Sequence, residues 1–445
     1  MHIETECCHQ VGELFPTSSP PKEKIRWRIV PRGRIAMLSV HTCPLAMLGG
    51  KNTGGMNVYV RELSRQLGAR GWQVDIFTHA ENMARPLIVQ MSENVRVIHI
   101  VAGPVRHIGK NELYHYLPEF TENVLRFATL EGHTYDIIHS HYWLSGLVAQ
   151  ALREAWGAPI AHMYHTLGVM KNAVARSEAE RELDIRIRSE AQIARAVDRL
   201  VAATPIDRAQ ILEHYPADPS KIEVIPCGVD LDLFHPIPKR EARRLLGIPD
   251  DHKLILFVGR IDPLKGIDAL IEAIAEVVRR EPAWRERLCL SIIGGSAEDA
   301  AQALTAEMRR LHALRAELDI EDVVTFLGAQ SQETLPYFYS AAEMVVMPSH
   351  YESFGMVALE AMACGTPVIA SDVGGLTYTV QDGVTGYLVP PRRPDILADR
   401  ILELLNDVER RREMGRNGVK RAERFGWPAI TRQIERLYAE LRILA

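Results

Sequence analysis

From Arg34 onward the chain alternates short β-branched or apolar runs with longer stretches whose apolar positions recur at helical spacing. The short runs are "RIAMLSV", "QVDIFTH", "VRVIHIV", "YDIIHSH", "APIAHMYH" and "RLVAATP", and residues 58–69 read as a helix after the first of them. Past "IEVIPCGVDLDLFHP" the rhythm restarts with "KLILFVGR", "LCLSIIGG", "VVTFLG", "MVVMPS" and "PVIAS", separated by helical patterns such as residues 269–280 and 301–318. Strands alternating with helices predict an α/β fold in which a parallel sheet is covered on both faces. Two such series predict two doubly wound, Rossmann-like domains facing an inter-domain cleft.

Gly228, Pro236 and Pro238 interrupt the pattern and mark the linker. The expected division is an extension at residues 1–33, a first domain at 34–228, a second at 229–427, and an amphipathic last helix at 428–445 that returns to the first domain. In open α/β sheets ligands bind beyond the carboxyl ends of the strands, so the loops just after strands are where chemistry is expected.

Composition narrows the classes. With 445 residues, 47% of them apolar and 24% charged, the chain can build two ordinary cores. A net charge of -5 without a basic tail argues against a nucleic-acid or membrane partner and leaves small ligands open. Six scattered cysteines without a CxxC pair suit a reducing compartment, so a cytoplasmic location is expected. The first residues carry acids and prolines where a signal peptide needs an apolar core, and no apolar run approaches the roughly 18 residues of a membrane span. Cys7, Cys8 and His9 lack a second ligand pair and read as solvated side chains.

Two segments carry donor-type chemistry. In "PSHYESFGMVALEAMACGTPVIAS", Glu352 follows a strand, Ser353, Phe354 and Gly355 form a turn, and a helix over 356–364 begins at Met356. The free N–H groups of a helix start suit a phosphate. Glu360, about one turn into that helix, can accept hydrogen bonds from a vicinal diol. In "LFVGRIDPLKGIDALIEAI", Arg260 and Lys265 bracket a turn at Pro263, with a helix expected from Gly266, so both cations can converge on one anion. Fixed cations stabilise a diphosphate leaving group more as its charge grows. Neither "NTGGMNVYV" nor "IIGGSAEDA" is the GxGxxG of a dinucleotide-binding oxidoreductase.

Together "GR-x4-KG" and the Glu-x7-Glu of "ESFGMVALE" resemble the family 4 retaining glycosyltransferases of the GT-B fold, from about Arg34 to the C-terminus. The resemblance implies that Arg260 and Lys265 bind a donor diphosphate, Glu352 the sugar hydroxyls and Glu360 the ribose, with Phe354, Gly355 and Met356 supplying backbone. It also implies front-face displacement without a protein nucleophile, with His165 orienting substrate. No Asp-x-Asp-like motif stands at the donor site, so no cofactor is expected to be required and Mg2+ is not expected to be essential.

On the acceptor side, "SVHTCPL", "NTGGMNVYV", "HSHYWLSG" and "HTLGVMKN" resemble the inositol-phosphate N-acetylglucosaminyltransferases of mycothiol synthesis. That implies an acceptor pocket of His41, Thr53, Gly54, Gly55, Met56 and Asn57, with Lys110, Tyr142, Thr166 and Arg186 on the acceptor phosphate. It further implies a uridine diphosphate sugar donor (N-acetylglucosamine or glucose), a phosphorylated acceptor and a homodimer. One ammonium, one guanidinium and two hydroxyls suit a phosphate dianion; singly, Tyr142 reads as core, and Arg186 and Lys110 as solvated surface. The chain departs from the family at Gln330, where a second basic residue is usual near the nucleobase. Sucrose-phosphate synthases share the motifs but carry glutamine after the double glycine, where this chain has Met56 and Asn57. A nucleotide-sugar epimerase on the same scaffold is the alternative from another class.

Overall fold

The computed structural model describes residues 32–46, 54–84, 86–295 and 305–444. The extension before Arg32, with Cys7, Cys8 and His9, and Thr53 lie outside these residues. Eight strands form the first sheet: β1 (Gly33–Leu38), β2 (Trp72–His79), β3 (Ile88–Ser92), β4 (Val95–Ile100), β5 (Ile137–His141), β6 (Ile160–Met163), β7 (Arg199–Ala202) and β8 (Ile222–Val224). Their spatial order is β3-β4-β2-β1-β5-β6-β7-β8. Six form the second: β9 (Lys253–Val258), β10 (Leu288–Ile293), β11 (Val324–Gly328), β12 (Met344–Met347), β13 (Val368–Ser371) and β14 (Gly386–Val389), in the order β11-β10-β9-β12-β13-β14.

The three strands that the sequence pattern does not single out, β3, β8 and β14, are edge strands. β3 runs antiparallel to β4 and is largely solvent-facing, so it lacks the apolar signature of its neighbours. β14 is four residues long and opens on Gly386. The remaining pairings are parallel.

Helix α1 (Gly55–Ala69) buries Tyr59, Val60, Leu63 and Leu67, a stripe at i, i+3, i+4 spacing that packs on the first sheet. It starts three residues before the apolar pattern does, because Asn57 closes a capping arrangement. The Asn57 Oδ1 accepts from the Gly54 N–H at 3.0 Å, and its Nδ2 donates to Thr42 Oγ1 and the Cys43 carbonyl. The helix after Lys265 begins at Ile267, after a 3-10 turn over Pro263–Lys265, and that after Gly355 spans Met356–Ala363.

The chain crosses between the sheets twice, and the crossings pair: Val229 N–H donates to the Phe425 carbonyl at 2.9 Å and Trp427 N–H to the Val229 carbonyl at 3.2 Å. A Cβ on Gly228 would lie 2.4 Å from the Trp427 ring, so only glycine admits this crossing. The final helix, Trp427–Leu444, packs on the first sheet through Ile430, Ile434, Leu437, Tyr438 and Leu441. Tyr438 is hydrogen-bonded to His139 Nδ1 at 2.6 Å, and Trp72 Nε1 donates to Glu435 at 3.1 Å.

Candidate active site

In the first sheet β1 sits between β2 and β5; in the second β9 sits between β10 and β12. At these two switch points the loops diverge to opposite faces and leave a crevice. The crevices face each other across a cavity of about 750 Å³. One wall, the expected donor side, comes from the loops after β9, β10, β11 and β12, and the other, the expected acceptor side, mainly from the loops after β1, β4, β5 and β6.

On the donor side Arg260 follows β9, and Asp262 holds the turn by accepting the Leu264 N–H at 3.0 Å. Lys265 Nζ lies 2.6 Å from Glu352 Oε2, so the ammonium and carboxylate neutralise each other across the cavity floor. Gly355 caps its helix at φ 91°, a left-handed value that glycine tolerates without strain. Phe354, Gly355 and Met356 all line the cavity, as does Gln330, whose amide donates to the Leu327 carbonyl at 3.1 Å. Glu360 faces the same cavity from a nearly buried position and accepts a hydrogen bond from the Tyr339 hydroxyl at 2.8 Å. Burial raises its carboxyl to about 7, against the opposing pull of Tyr339 and the Arg61 charge.

The acceptor wall is built differently. Gly54 and Gly55 meet the donor wall: a Cβ on Gly55 would stand 3.2 Å from Met356 Sδ, and one on Gly54 3.8 Å from Arg260. Met56 and Asn57 also line the cavity, although the Asn57 side chain is engaged in the cap. His41 packs on Tyr142 with ring centroids 4.3 Å apart. Its buried Nδ1 has no hydrogen-bond partner among the described residues. Burial, reinforced by the Lys110, Arg186 and Arg260 charges, holds this imidazole neutral with its pKa lowered to about 3. Burial does the same for His165, whose Nε2 lies 2.9 Å from His141 Nδ1.

Tyr142 and His165 adopt φ 74° and 63°, costly values for bulky residues, at the ends of β5 and β6 where the chain turns into the cavity. The turn at His165 also ties the walls together: Ser353 Oγ donates to the His165 carbonyl, and Leu167 N–H to the Tyr351 hydroxyl at 3.3 Å.

Lys110 and Thr166 line the cavity, but Arg186 does not. Its side chain is 1% exposed and stands behind the wall. There it donates to the Tyr142 hydroxyl at 2.9 Å, to Thr166 Oγ1 at 3.0 Å and to the Thr166 carbonyl at 2.7 Å. It also pairs with Glu190 at 2.8 Å and Glu182 at 2.9 Å. The solvated helix face open to a lone arginine is thus replaced by a buried hub that orients Tyr142 and Thr166.

Sequence reasoning missed two members of this group. Lys171 lines the cavity on the helix Gly168–Val174, just after a strand end, and that position carried a usable signal like that of Lys265. Glu182, a loop acid without any local signal, lies 2.5 Å from both Lys110 Nζ and Lys171 Nζ.

Two Rossmann-like sheets facing a cavity, with cations on both walls, define a GT-B glycosyltransferase. Residues 53–233 match the family model "Glycosyltransferase Family 4" and residues 238–421 match "Glycosyl transferases group 1". The chain is 44% identical over 407 residues to a D-inositol 3-phosphate glycosyltransferase 2 of Catenulispora acidiphila, covering 91% of this chain and 94% of that one. It is 46% identical over 400 residues to a D-inositol 3-phosphate glycosyltransferase of Geodermatophilus obscurus, covering 89% and 87%. Among solved structures it is similar to a sucrose-phosphate synthase from Thermosynechococcus elongatus, with TM-score 0.86 and 39% identity over 93% of this chain and 100% of the other. The chain belongs to the family 4, group 1 glycosyltransferases and is a hexosyltransferase. No helix among the described residues is long and apolar enough to cross a membrane.

Proposed function

We propose that the protein transfers a hexosyl unit, N-acetylglucosamine or glucose, from a uridine diphosphate sugar to an inositol phosphate with retention of configuration. The observation that carries this reading is the pairing of two cationic stations in one cavity: Arg260 and Lys265 on the donor wall, Lys110 and Lys171 on the acceptor wall. One station suits a diphosphate and the other a phosphorylated acceptor. The acceptor named for the relatives, D-inositol 3-phosphate, supports inositol phosphate as the occupant.

In this reading the donor diphosphate takes up Lys265, releasing Glu352 to accept hydrogen bonds from the sugar hydroxyls. Arg260 and the first N–H groups of the helix Met356–Ala363 stabilise the charge that grows as the glycosidic bond breaks. The acceptor hydroxyl attacks the anomeric carbon on the face from which the diphosphate leaves, and a phosphate oxygen takes the acceptor proton. His41 and His165, both held neutral, hydrogen-bond without adding positive charge. Closure of the two walls excludes water and favours transfer over hydrolysis. The two fixed cations do the charge work, and turnover persists in a chelator.

The likeness to a sucrose-phosphate synthase favours fructose 6-phosphate as the second reading. A matrix of uridine, adenosine and guanosine diphosphate sugars against inositol phosphates, fructose 6-phosphate and their unphosphorylated forms separates the two. The expected result is diphosphate release with a uridine donor and an inositol phosphate. Turnover with fructose 6-phosphate alone installs the second reading, and an epimerised donor formed without any acceptor overturns both.

A further inference from the structure

The segment from Val174 to Glu182 joins the helix Gly168–Val174 to the helix Asp184–Ala196 and belongs to neither substrate motif. It ends on a carboxylate whose side chain is 2% exposed and which faces three cations: Lys110, Lys171 and Arg186 at 2.5, 2.5 and 2.9 Å. Its backbone is locked as well, since Glu182 N–H donates to Asn172 Oδ1 at 2.7 Å and Asn172 Nδ2 donates to the Glu182 carbonyl at 3.2 Å. Lys110 and Lys171 line the cavity, whereas Glu182 does not. The carboxylate therefore sits behind the two ammonium groups and draws them together against their mutual repulsion.

The same segment is gripped by the donor domain. Arg176 pairs with Asp268 at 2.8 Å, on the first turn of the helix that follows Lys265, and Arg392 donates to the Val174 carbonyl at 3.1 Å. Contacts that close the walls thus bear on the segment that carries Glu182.

We propose that Glu182 is a positioning residue that assembles the cationic station for the acceptor phosphate, and that it sets the preference for a phosphorylated acceptor. This inference rests on the reading of that station as a phosphate site. Glu182 itself stays ionised: the Arg186, Lys110 and Lys171 charges overcome burial and hold its carboxyl down at about 2. Lys110 is under the opposite stress. Burial lowers its pKa, Arg186 and Arg260 add to that, and Glu182 is the charge that resists it; Lys171 stands on the other side of Glu182, and neutral His41, Tyr142 and His107 are further titratable groups lining the same cavity.

Glu182→Gln keeps the shape and removes the charge. The expected result is a rise of about tenfold or more in KM for the phosphorylated acceptor, with kcat and donor KM within about twofold. The ratio of kcat/KM for phosphorylated over unphosphorylated acceptor falls by the same factor. The alkaline limb of the acceptor KM profile also moves to lower pH, because Lys110 loses its counter-charge, and Glu182→Asp restores part of both effects. A merely structural lesion moves donor KM as well and leaves the pH limb in place. If Glu182→Gln keeps wild-type acceptor KM and pH limb, or binds the phosphorylated acceptor more tightly, the proposal is overturned. If the wild-type enzyme shows no preference for phosphorylated acceptors, the functional reading fails first, and the two failures are told apart in the same set of assays.

Discussion

The two walls of the cavity achieve positive charge by opposite means. The donor wall draws Arg260, Lys265, Glu352 and Glu360 from two short loop-to-helix segments, and its central ion pair, Lys265 with Glu352, is about one-fifth exposed at each end. The acceptor wall draws on the loops after four strands and sets its arginine in the interior, between the buried carboxylates of Glu182 and Glu190. One wall is a motif laid on a finished fold. The other is part of the electrostatics of the fold, and substitutions on the two sides should therefore fail in different ways.

The largest contrast is expected at Arg186. Arg186→Ala leaves Glu190 and Glu182 buried without their shared guanidinium, and breaking one side of a buried pair costs about 3–5 kcal/mol. Lys265→Ala breaks a part-exposed pair worth at most about 1 kcal/mol to stability. Urea unfolding of both variants should show a clear drop in midpoint for the first and little change for the second. Equal midpoints would remove the distinction between the walls. The further expectation is that Lys110→Ala, at the cavity surface, raises acceptor KM without lowering the midpoint, because its Glu182 partner keeps Lys171 and Arg186.

Next in size is the loss of catalysis on the donor wall. A donor aimed at charge that develops in the transition state is worth about two to three orders of magnitude in kcat. Arg260→Ala should lose about that much with stability and acceptor KM intact, read by steady-state assays at saturating donor. If the loss falls on acceptor KM instead, Arg260 serves the wrong wall and the two-station reading needs revision.

This contrast also explains how much could be read from the chain. The parallel sheets were legible because most of their strands are buried runs rich in apolar residues; β3 was not, because it is an edge strand that shows no buried face, and β14, at the edge of the second sheet, opens on a glycine. The donor residues were legible because spacing within one loop and one helix fixes where they meet. The acceptor group is held together by tertiary contacts instead. Lys110 and Glu182 are 72 residues apart, and Tyr142 and Arg186 are 44 apart. A sequence lets Arg186 be a solvated arginine, Glu182 an ordinary loop acid and Asn57 a substrate ligand. Only the fold turns the first into a buried hub, the second into its counter-charge and the third into a helix cap that also lines the cavity. Lys171 marks the boundary of what sequence can do, since a cation in the first turns after a strand end is a pattern that Lys265 also shows on the donor side.

The smallest effect tests the one place where the donor wall resembles the acceptor wall. Glu360 is buried with the Tyr339 hydroxyl as its partner, and its carboxyl is raised to about 7 rather than lowered by a cation. A raised carboxyl pKa means the folded protein holds the proton more tightly than the unfolded chain does. The stabilisation this gives is present at low pH and is lost as pH climbs through about 7. Ribose hydroxyls bind best to the ionised form, which accepts with both oxygens. Donor KM should therefore fall by about tenfold as pH rises from about 6 to about 8, as expected for a single titrating group centred near neutrality. Glu360→Gln should flatten that profile at a weaker affinity, and above neutral pH it should unfold at higher urea than the wild type because it buries no charge. A flat wild-type profile would mean that Glu360 meets the donor already ionised, with a cation of the closed cavity reaching it, and the donor wall would then be as dependent on paired interior charge as the acceptor wall is.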